Sequence, residues 1–344
     1  MNRIDRLRPL LDEPLLVTTP VNVRYLTGFE SSNAALLVDD ERALLFSDFR
    51  YAESARKVEG VEFVEVERAL VRGLVPHVGA KVGFEATNLT YASWDLLRSA
   101  GLELVPTSGV VEQLRAVKSN DELEAIRRAT EIADEAFVRL SGEPFVGRTE
   151  RDLAHVFEEV LHELGAHGPS FPTLVASGPN GGTPHAHAGD RVVQRGETVG
   201  VDGGAVVDGY ASDCTRTFAT GKLPDELARA YDVVLEAQLE GLAAVAPGAA
   251  AKDVDAAARS VVEREGFGER FGHGLGHGVG LLVHEAPALR PESDDVLAVD
   301  NVVTVEPGIY LPGVGGIRIE DLVVVREGKA LVLTSFPKEL VTVG

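Results

Sequence analysis

The sequence predicts a two-domain protein in which a small α/β domain precedes a larger α+β domain. Its 344 residues suggest two domains at about 150 residues each. Over the first hundred or so residues, short apolar runs alternate with helical segments, which is typical of an α/β layer. At Lys118 this alternation gives way to a long amphipathic helix and then to Gly-rich strand pairs. We therefore expect an N-terminal domain over residues 1–117 and a C-terminal domain over residues 118–344.

The elements predicted for the N-terminal domain follow from residue type. Short runs rich in Leu, Val and Phe predict strands at 15–19, 34–38, 42–48, 61–66, 81–85 and 102–106. Two of the segments between these runs are predicted as helices, at 50–58 and 90–99. Strands interleaved with helices indicate a layered domain.

A long amphipathic helix is predicted over residues 119–140, where the C-terminal domain begins. Ser119 and Asn120 are candidate N-caps, and Glu122 stands in the capping-box position for Ser119. The apolar positions of this helix include Leu123, Ile126, Ile132, Ala133 and Ala136. Further helices are predicted at 151–164, 224–245 and 252–265, with antiparallel strands between and after them.

Charge and composition disfavour several classes of function. Lys and Arg number 33 against 54 Asp and Glu, which gives a formal net charge of −21. Phosphate binding needs a basic face, and no basic run is present, so we expect no nucleic-acid partner. No run of about 18 apolar residues is present either, so no membrane span is expected. The acidity fits a solubilising surface or a group of carboxylates that hold metal.

The cysteine count bears on the compartment. Cys214 is the single cysteine, so no intrachain disulfide can form, which fits a reducing cytosol. The N-terminus has no apolar stretch followed by a small-residue cleavage site. We therefore expect a soluble, cytoplasmic protein. Because no cysteine-protease signature surrounds Cys214, we expect it to be a small packing residue.

Histidines cluster among glycines. Five of the nine histidines lie in two Gly-rich stretches: His185, His187, His273, His277 and His284. Glycines let backbone segments approach closely and lower stability unless that approach is required. A single histidine is usually an ordinary surface or core residue, but clustering among glycines indicates a functional site.

A β-hairpin is predicted around Asp208-Gly209, a dipeptide typical of two-residue turns. Such a turn pairs Asp202 with Thr215. Asp213 lies two residues from Thr215 and therefore points to the same face, diagonal to Asp202. Like charges at mid-strand are unfavourable without a cation. The pair therefore indicates a metal site or, alternatively, a solvated face.

The C-terminal run NVVTVEPGIYLPGVGGIRIEDLVVV predicts two strands around a Gly/Pro turn. Glu306 is expected to end the first strand and Glu320 to lie inside the second. A buried carboxylate in such a strand is rarely left unpaired. The alternative is an edge strand with Glu320 facing water.

Together these patterns give four carboxylates and a histidine, each in a strand or a Gly-rich turn. Carboxylates with one imidazole suit Mn, Co or Zn rather than a structural thiolate site. Four carboxylates exceed what one catalytic ion needs and suit two ions that share a bridging water. Such a site makes hydroxide at neutral pH and polarises a carbonyl.

The order Asp, Asp, His, Glu, Glu resembles that of the pita-bread metallopeptidases, which include methionine aminopeptidase, aminopeptidase P and prolidase. The motifs are VDGG at Asp202, SDCTRT at Asp213, GHGVG at His277, EPGIY at Glu306 and RIED at Glu320. The resemblance covers roughly residues 118–343. RYLTGFESSNAALLV and LLFSDFRYAE resemble the smaller creatinase-like N-terminal domain of the Xaa-Pro branch. Creatinase shares this layout but lacks the metal ligands.

The resemblance implies a pita-bread (creatinase/aminopeptidase-like) catalytic domain that holds two divalent ions. Asp202 would chelate one ion, Asp213 and Glu320 would bridge both, and His277 and Glu306 would complete the set. Glu306 would also accept a proton from the bridging water.

The resemblance also implies residues that contact the substrate. His185 and His284 would be catalytic histidines, His273 would lie near the prolyl pocket, and Arg318 would orient ligands or substrate. His187 has no clear counterpart in the family, and we expect it to be structural or exposed.

The implied reaction is hydrolysis of an Xaa-Pro bond by a metal-bridging hydroxide, in a homodimer acting on small peptides with proline at the second position. An Xaa-Pro bond has no N–H, so it needs a dedicated pocket. Prolidase, which cleaves dipeptides, is slightly favoured over aminopeptidase P, which acts on longer peptides. Methionine aminopeptidase is disfavoured by the N-terminal domain, and a non-catalytic pita-bread binding protein by the complete ligand set. A dipeptidase must capture the substrate carboxylate, for which Arg24, Arg50 and Arg318 are candidates.

Overall fold

The protein is described by a computed structural model for residues 2–184 and 186–344. The chain separates into two compact units on either side of the bond between Arg115 and Ala116. The prediction of mixed helices and sheets is confirmed in both units. Among the described residues, none of the helices combines the length and the apolar character needed to cross a lipid bilayer.

The N-terminal unit is built on one six-stranded sheet with the strand order β4-β3-β2-β1-β5-β6. The strands are β1 Leu15–Val17, β2 Ala34–Val38, β3 Ala43–Ser47, β4 Glu62–Glu65, β5 Lys81–Glu85 and β6 Glu103–Thr107. The helices are α1 Arg3–Leu7, α2 Pro20–Thr27, α3 Ala52–Ala55, α4 Leu70–Leu74, α5 Tyr91–Ser99 and α6 Val110–Ala116. Leu16, Leu37, Phe46, Val82 and Leu97 lie in its buried core.

Side-chain carboxylates explain two differences from the predicted elements of this unit. The first strand ends at Val17 rather than at residue 19, because the N–H groups of Thr18 and Thr19 donate to the Glu85 carboxylate at 2.6 and 2.7 Å. The helix predicted at 50–58 is only Ala52–Ala55. There the Asp48 carboxylate accepts the Arg50 N–H at 3.1 Å and holds a turn where the helix was expected to begin.

Four long helices of the C-terminal unit begin close to their predicted positions. They are α7 Asn120–Ser141, α8 Glu150–Glu163, α9 Asp225–Ala244 and α10 Ala251–Arg264. The capping box predicted for α7 is confirmed, since the Ser119 N–H donates to the Glu122 carboxylate at 2.8 Å. Helix α8 has a second capping box between Thr149 and Asp152.

The strands of the C-terminal unit are short and form several small sheets. They are β7 Gly168–Pro169, β8 Leu174–Ser177, β9 Thr198–Asp202, β10 Ala205–Val207, β11 Tyr210–Ala211, β12 Thr215–Ala219, β13 Gly276–Gly278, β14 Glu285–Leu289, β15 Val302–Val305, β16 Gly308–Leu311, β17 Gly315–Arg318, β18 Asp321–Val324 and β19 Leu331–Val332. Short 3-10 helices lie at Arg8–Leu10, Val75–His77, Gly178–Gly182 and Gly268–Arg270.

Two antiparallel hairpins organise these strands, and each changes sheet halfway along. In the first hairpin, Asp202 pairs with Thr215, and Val207 pairs with Tyr210 beyond a gap. The predicted register and the two-residue turn at Asp208-Gly209 are therefore confirmed.

In the second hairpin, Val305 pairs with Asp321 and Gly308 with Arg318 on the two sides of a gap. The register is the same on both sides, so Glu306 faces Glu320. Glu320 was predicted to lie inside a strand; it lies instead in the break between β17 and β18.

Each hairpin has its own apolar core. Phe137 of α7 and Phe157 of α8 pack with Val199, Val201 and Phe218 of the first hairpin. The second hairpin packs with α9 and α10 in a separate cluster that includes Val234, Val261, Leu275, Val303 and Val323. The two cores hold the hairpin gaps in fixed positions.

The C-terminal segment forms hydrogen bonds with β12 of the first hairpin. Arg216 of β12 is almost fully buried and donates through Nη2 to the carbonyl oxygen of Phe336 at 2.8 Å and to Asp321 Oδ1 at 2.9 Å. It also donates to the Glu320 carbonyl. Near the chain end, the Val343 N–H donates to the Ala219 carbonyl at 2.8 Å. A buried guanidinium is tolerated here because these acceptors surround it.

We expect Thr149→Ala to lower the free energy of unfolding of the C-terminal unit by about 1 kcal/mol. The Thr149 hydroxyl accepts the Asp152 N–H at 3.1 Å, and this bond is lost in the variant. Chemical denaturation measures the change. Thr149→Ser is the matched control because it keeps the hydroxyl, and an equal loss in both variants would contradict a capping role.

Candidate metal centre

Four carboxylates meet where the two hairpins leave their sheets. Asp202 ends β9, and Asp213 lies in the gap before β12. Glu306 and Glu320 occupy the facing breaks of the second hairpin. At a break the backbone leaves the regular ladder, so side chains on facing arms can converge on one point.

Thr215 connects the two hairpins. Its carbonyl accepts the Glu320 N–H at 3.1 Å, and its hydroxyl donates to Glu320 Oε2 at 2.7 Å. Thr215 also pairs with Asp202 across the first hairpin. It therefore lies between a carboxylate of the first hairpin and one of the second.

His277 lies on β13, between β14 and β15. Its Nε2 is 3.2 Å from Glu306 Oε1 and 3.6 Å from Asp213 Oδ2. The Thr304 hydroxyl accepts the His277 N–H at 3.0 Å and donates to Glu306 Oε1 at 3.1 Å. Thr304 thus fixes His277 relative to Glu306.

The glycines on either side of His277 are required for close approach. A Cβ at Gly276 would lie 2.1 Å from the Thr304 carbonyl oxygen, and one at Gly278 would lie 2.2 Å from the Ala286 carbonyl oxygen. Any side chain at either position would push the neighbouring strands apart. This explains why His277 stands in a Gly-His-Gly sequence.

Burial sets the protonation of the deepest carboxylates. Burial, reinforced by neighbouring negative charges, raises the pKa of Asp213 and of Glu320 well above the ordinary values. Burial also raises the pKa of Asp202, although Arg318 opposes the shift. Ionisation of these carboxylates is therefore unfavourable without a nearby cation, because buried like charges repel.

Glu306 and His277 behave as an ion pair. Burial would raise the pKa of Glu306, but the hydrogen bond and positive charge of His277 hold it at about 2. Burial would likewise lower the pKa of His277, yet Glu306 raises it to about 9. In the protein alone, His277 and Arg318 supply the positive charges beside the carboxylates.

These residues fit a divalent cation. Asp213, His277 and Glu320 each offer a ligand atom, and the three atoms lie within 4.8 Å of one another. Within the described residues, Asp202 Oδ1 and Glu320 Oε1 are buried oxygens without a hydrogen-bond partner. Buried acceptors are seldom left unsatisfied, and carboxylate oxygens with an imidazole nitrogen are typical ligands of hard or borderline metals.

Arg318 forms its hydrogen bonds with residues of the site. It donates to Asp202 Oδ2 at 2.6 Å, to the Thr215 hydroxyl at 2.9 Å and to the Tyr310 hydroxyl at 2.9 Å. It also donates to the Pro184 carbonyl at 3.3 Å. Its donors hold Asp202 in place rather than reaching outward.

A cleft of about 430 Å³ opens onto the carboxylates. Four of the five predicted histidines line it: His187, His273, His277 and His284. His284 is exposed, with its ring centroid 4.2 Å from that of His277, whereas His273 is half-buried with Nε2 3.0 Å from the Tyr310 hydroxyl. His187 is exposed, as predicted, and lies in the cleft wall. His185, predicted to be catalytic, lies outside the described residues.

The cleft wall has an apolar part and a part made of charged and polar residues. The apolar part consists of Phe171, Pro172, Leu174, Pro184 and Ala288. The charged and polar part consists of Asp202, Asp213, His187, His273, His277, His284, Arg290, Glu306, Arg318 and Glu320. All nine candidate residues apart from His185 therefore lie around one cleft, while their individual roles stay predictions.

Sequence reasoning missed three residues of the site. Thr304 lies two positions before Glu306 on β15, so the period of a strand could have placed both on one face. Tyr310 faces Gly316 across the β16–β17 pair, and a glycine opposite an aromatic residue is a weak signal. Arg290 belongs to no motif, and only the structure shows that it lines the cleft.

Known proteins are similar to this chain over nearly its whole length. Residues 124–327 match the model of metallopeptidase family M24, and residues 3–117 match the creatinase/prolidase N-terminal domain. The chain is 34% identical to the Xaa-Pro dipeptidase of Pyrococcus furiosus, over 98% of this chain and 99% of that protein.

Solved structures agree. The structure of an Xaa-Pro dipeptidase from Bacillus anthracis is 38% identical, covers 99% of both chains and has a TM-score of 0.95. The structure of an X-Pro aminopeptidase from Thermotoga maritima is 34% identical, with a TM-score of 0.88 over 99% of this chain and 100% of the other.

We expect Gly276→Ala to lower the free energy of unfolding by about 1–3 kcal/mol and to weaken divalent-metal binding, because the new methyl group forces Thr304 away from His277. Denaturation and isothermal titration with Mn²⁺ measure the two effects. Gly272→Ala is the matched control in the same loop, since a Cβ there meets no atom within 4 Å. Equal behaviour of the two variants would contradict the close-approach argument.

Proposed function

This chain belongs to metallopeptidase family M24, and on that premise we propose that it is an Xaa-Pro dipeptidase with two divalent metal ions. One observation carries the proposal: the ligand atoms of Asp213, His277 and Glu320 lie within 4.8 Å of one another at the cleft. The similarity to proteins named Xaa-Pro dipeptidase supports the substrate class.

Asp202, Asp213, His277, Glu306 and Glu320 would hold the ions. Bound there, two ions would supply Lewis acidity and a nucleophile activated at neutral pH. Mn, Co and Zn all suit this set of ligands. Five donor residues exceed what one ion of this kind needs, which supports a count of two.

The remaining residues handle protons and the substrate. Glu306, which contacts His277 at the cleft, would accept a proton from the activated water. His284 lines the cleft beside His277 and would protonate the prolyl nitrogen when the bond breaks. Because that nitrogen carries no N–H, recognition falls to the proline ring, for which Phe171, Pro172 and Leu174 provide an apolar wall.

Arg290 is our candidate for capturing the carboxylate of a dipeptide. Arg24 and Arg50, considered from the sequence, pair with Glu30 and Asp48 inside the N-terminal unit, and Arg318 is bonded to Asp202. Arg290 is exposed in the cleft wall, and no carboxylate of the described residues forms an ion pair with it. A guanidinium recognises a carboxylate with two parallel hydrogen bonds.

Removal of the first residue from longer peptides is the second candidate function. The similarity to the X-Pro aminopeptidase of Thermotoga maritima favours it. In that case the peptide would continue past Arg290, and the charge at the second residue's carboxyl group would not matter.

A homodimer in the cytoplasm completes the proposal. Buried Cys214, a free thiol, suits a reducing compartment, and the dimer rests on the resemblance to the family. Light scattering after size-exclusion chromatography measures the oligomeric state.

We expect Asp213→Asn and Glu320→Gln to bind fewer than two metal ions per chain and to cleave Ala-Pro at least ~100-fold more slowly than the parent chain. Each variant removes a negative charge from the group that offsets the cations. Elemental analysis after reconstitution and a proline-release assay measure the two effects. Asp208→Asn, at the exposed turn of the same hairpin, is the control. A parent chain with far less than two ions, or full cleavage by either variant, would overturn the proposal.

We expect the Mn²⁺-loaded protein to cleave Ala-Pro faster than Ala-Pro-Ala or Ala-Pro-amide. Arg290→Gln should raise KM for Ala-Pro about 10- to 100-fold, the effect of losing hydrogen bonds to a charged group, and leave Ala-Pro-amide unaffected. Arg195→Gln, an exposed arginine outside the cleft wall, is the control. Preferred cleavage of Ala-Pro-Ala would instead establish the aminopeptidase. An equal loss on both Ala-Pro and its amide would exclude Arg290 from carboxylate recognition.

A further inference from the structure

Helix α10 carries an ion pair that belongs to neither the metal ligands nor the cleft wall. Arg259 donates through Nε and Nη2 to the two oxygens of Asp255 at 2.7 and 2.8 Å. Asp255 is almost fully buried, and Arg259 is mostly buried. A pair four residues apart on one helix forms without further partners. The additional hydrogen bonds of Arg259 and Asp255 therefore indicate a role beyond stabilising the helix.

The remaining donors of Arg259 all reach the segment that precedes β13. Nη1 donates to the Phe271 carbonyl at 3.0 Å, and Nη2 donates to the His273 carbonyl at 2.7 Å. The guanidinium also lies over the Phe271 ring, 4.2 Å from its centroid. Arg259 thus binds this segment on both sides of Gly272.

Asp255 holds the same segment two residues later. Its Oδ1 accepts the Leu275 N–H at 2.9 Å. The Leu275 carbonyl in turn accepts the N–H of Glu306 at 2.8 Å. One fully buried residue therefore connects Asp255 to the backbone of a proposed metal ligand.

The segment between these contacts has little conformational restraint of its own. His273 stands between Gly272 and Gly274, and glycine has the most permissive backbone of all residues. From His273 the contacts continue inward, because its Nε2 lies 3.0 Å from the Tyr310 hydroxyl, which accepts a hydrogen bond from Arg318 at 2.9 Å. A shift of this segment would therefore displace His273 in the cleft.

We propose that Asp255 and Arg259 are positioning residues that hold the 271–275 segment so that His273 and Glu306 keep their places in the cleft. Neither residue lines the cleft, and their hydrogen bonds reach no side chain of a proposed metal ligand. Their three backbone partners, at Phe271, His273 and Leu275, cover the whole Gly-rich segment. The planar fork of arginine suits this task, because it binds a carboxylate and two carbonyls at once, whereas the single ammonium of lysine does not.

The test is a double-mutant cycle with Arg259→Lys and His273→Ala, assayed with Ala-Pro on the metal-loaded full chain. We expect Arg259→Lys alone to lower kcat/KM about 10- to 100-fold, as a misplaced catalytic geometry does. In the His273→Ala background the same substitution should have a much smaller effect, because coupled residues are not additive. The kinetic readout rests on the proposed peptidase activity.

Hydrogen exchange gives a readout that does not depend on activity. Arg259→Lys should speed amide exchange in peptides covering residues 271–276 and leave those of α9 unchanged. Asp255→Asn, which keeps the size of the side chain, should do the same by weakening the bond to Leu275, and it serves if Arg259→Lys folds poorly. A parent chain that fails to cleave Ala-Pro would count against the proposed function, while faster exchange in the variants would still support the positioning role.

Arg229→Lys is the matched control. Arg229 also donates to a backbone carbonyl, that of Glu265, at 2.8 Å and lies over an aromatic ring, that of Phe267, at 5.3 Å, but it contacts no part of the 271–275 segment. Unchanged kcat/KM and exchange in Arg259→Lys would overturn the proposal. Fully additive losses with His273→Ala would show that Arg259 does not act through His273. Losses matched by Arg229→Lys would indicate a general effect on stability, and either outcome would overturn the proposal.

Discussion

The repulsion among buried carboxylates is the constraint around which the C-terminal unit is built. Asp213 and Glu320 lie where water hardly reaches, and burial together with their neighbours' charge raises the pKa of both. Holding such groups close together requires a rigid frame, since an isolated hairpin would relax by turning the charges outward. The frame consists of two hairpins with separate helical cores, joined through Thr215 and Glu320. The carboxylates converge because both hairpins break at the same level.

The support of the site extends well beyond the residues that face the cleft. Thr304 sets His277 against Glu306, Arg318 holds Asp202, and Arg216 lies behind Glu320. Groups that orient metal ligands commonly matter nearly as much as the ligands themselves. In this chain the orienting groups are the Thr304 hydroxyl and the guanidinium groups of Arg318 and Arg216, and each forms hydrogen bonds with its neighbours. The arrangement leaves buried oxygens of Asp202 and Glu320 as acceptors for a cation.

Much of the site could be predicted because its residues stand in local patterns. The Asp208-Gly209 turn determines the register that places Asp202 opposite Thr215, and this register is found in the structure. The location of Glu320 could not be predicted in the same way, since an alternating apolar pattern does not reveal that a strand leaves one sheet and joins another. Helix α2 was missed because it has only eight residues, although Pro20 at its start and Gly28 after its end are typical helix signals. Arg290 and Arg259 belong to no sequence motif, so nothing in the sequence indicated that they lie near the histidines.

The bonds between Arg216 and the C-terminal segment have a consequence for biosynthesis. Arg216 and its acceptor Phe336 are 120 residues apart, so the guanidinium lacks this carbonyl until residue 336 has left the ribosome. Contacts between such distant residues form late, because closing a long loop is entropically unfavourable. The hairpin that carries Asp202 and Asp213 is therefore completed only after translation has passed residue 336. Because Glu306 and Glu320 also follow Asp202 and Asp213 by about a hundred residues, the four carboxylates can come together only after translation has passed Glu320.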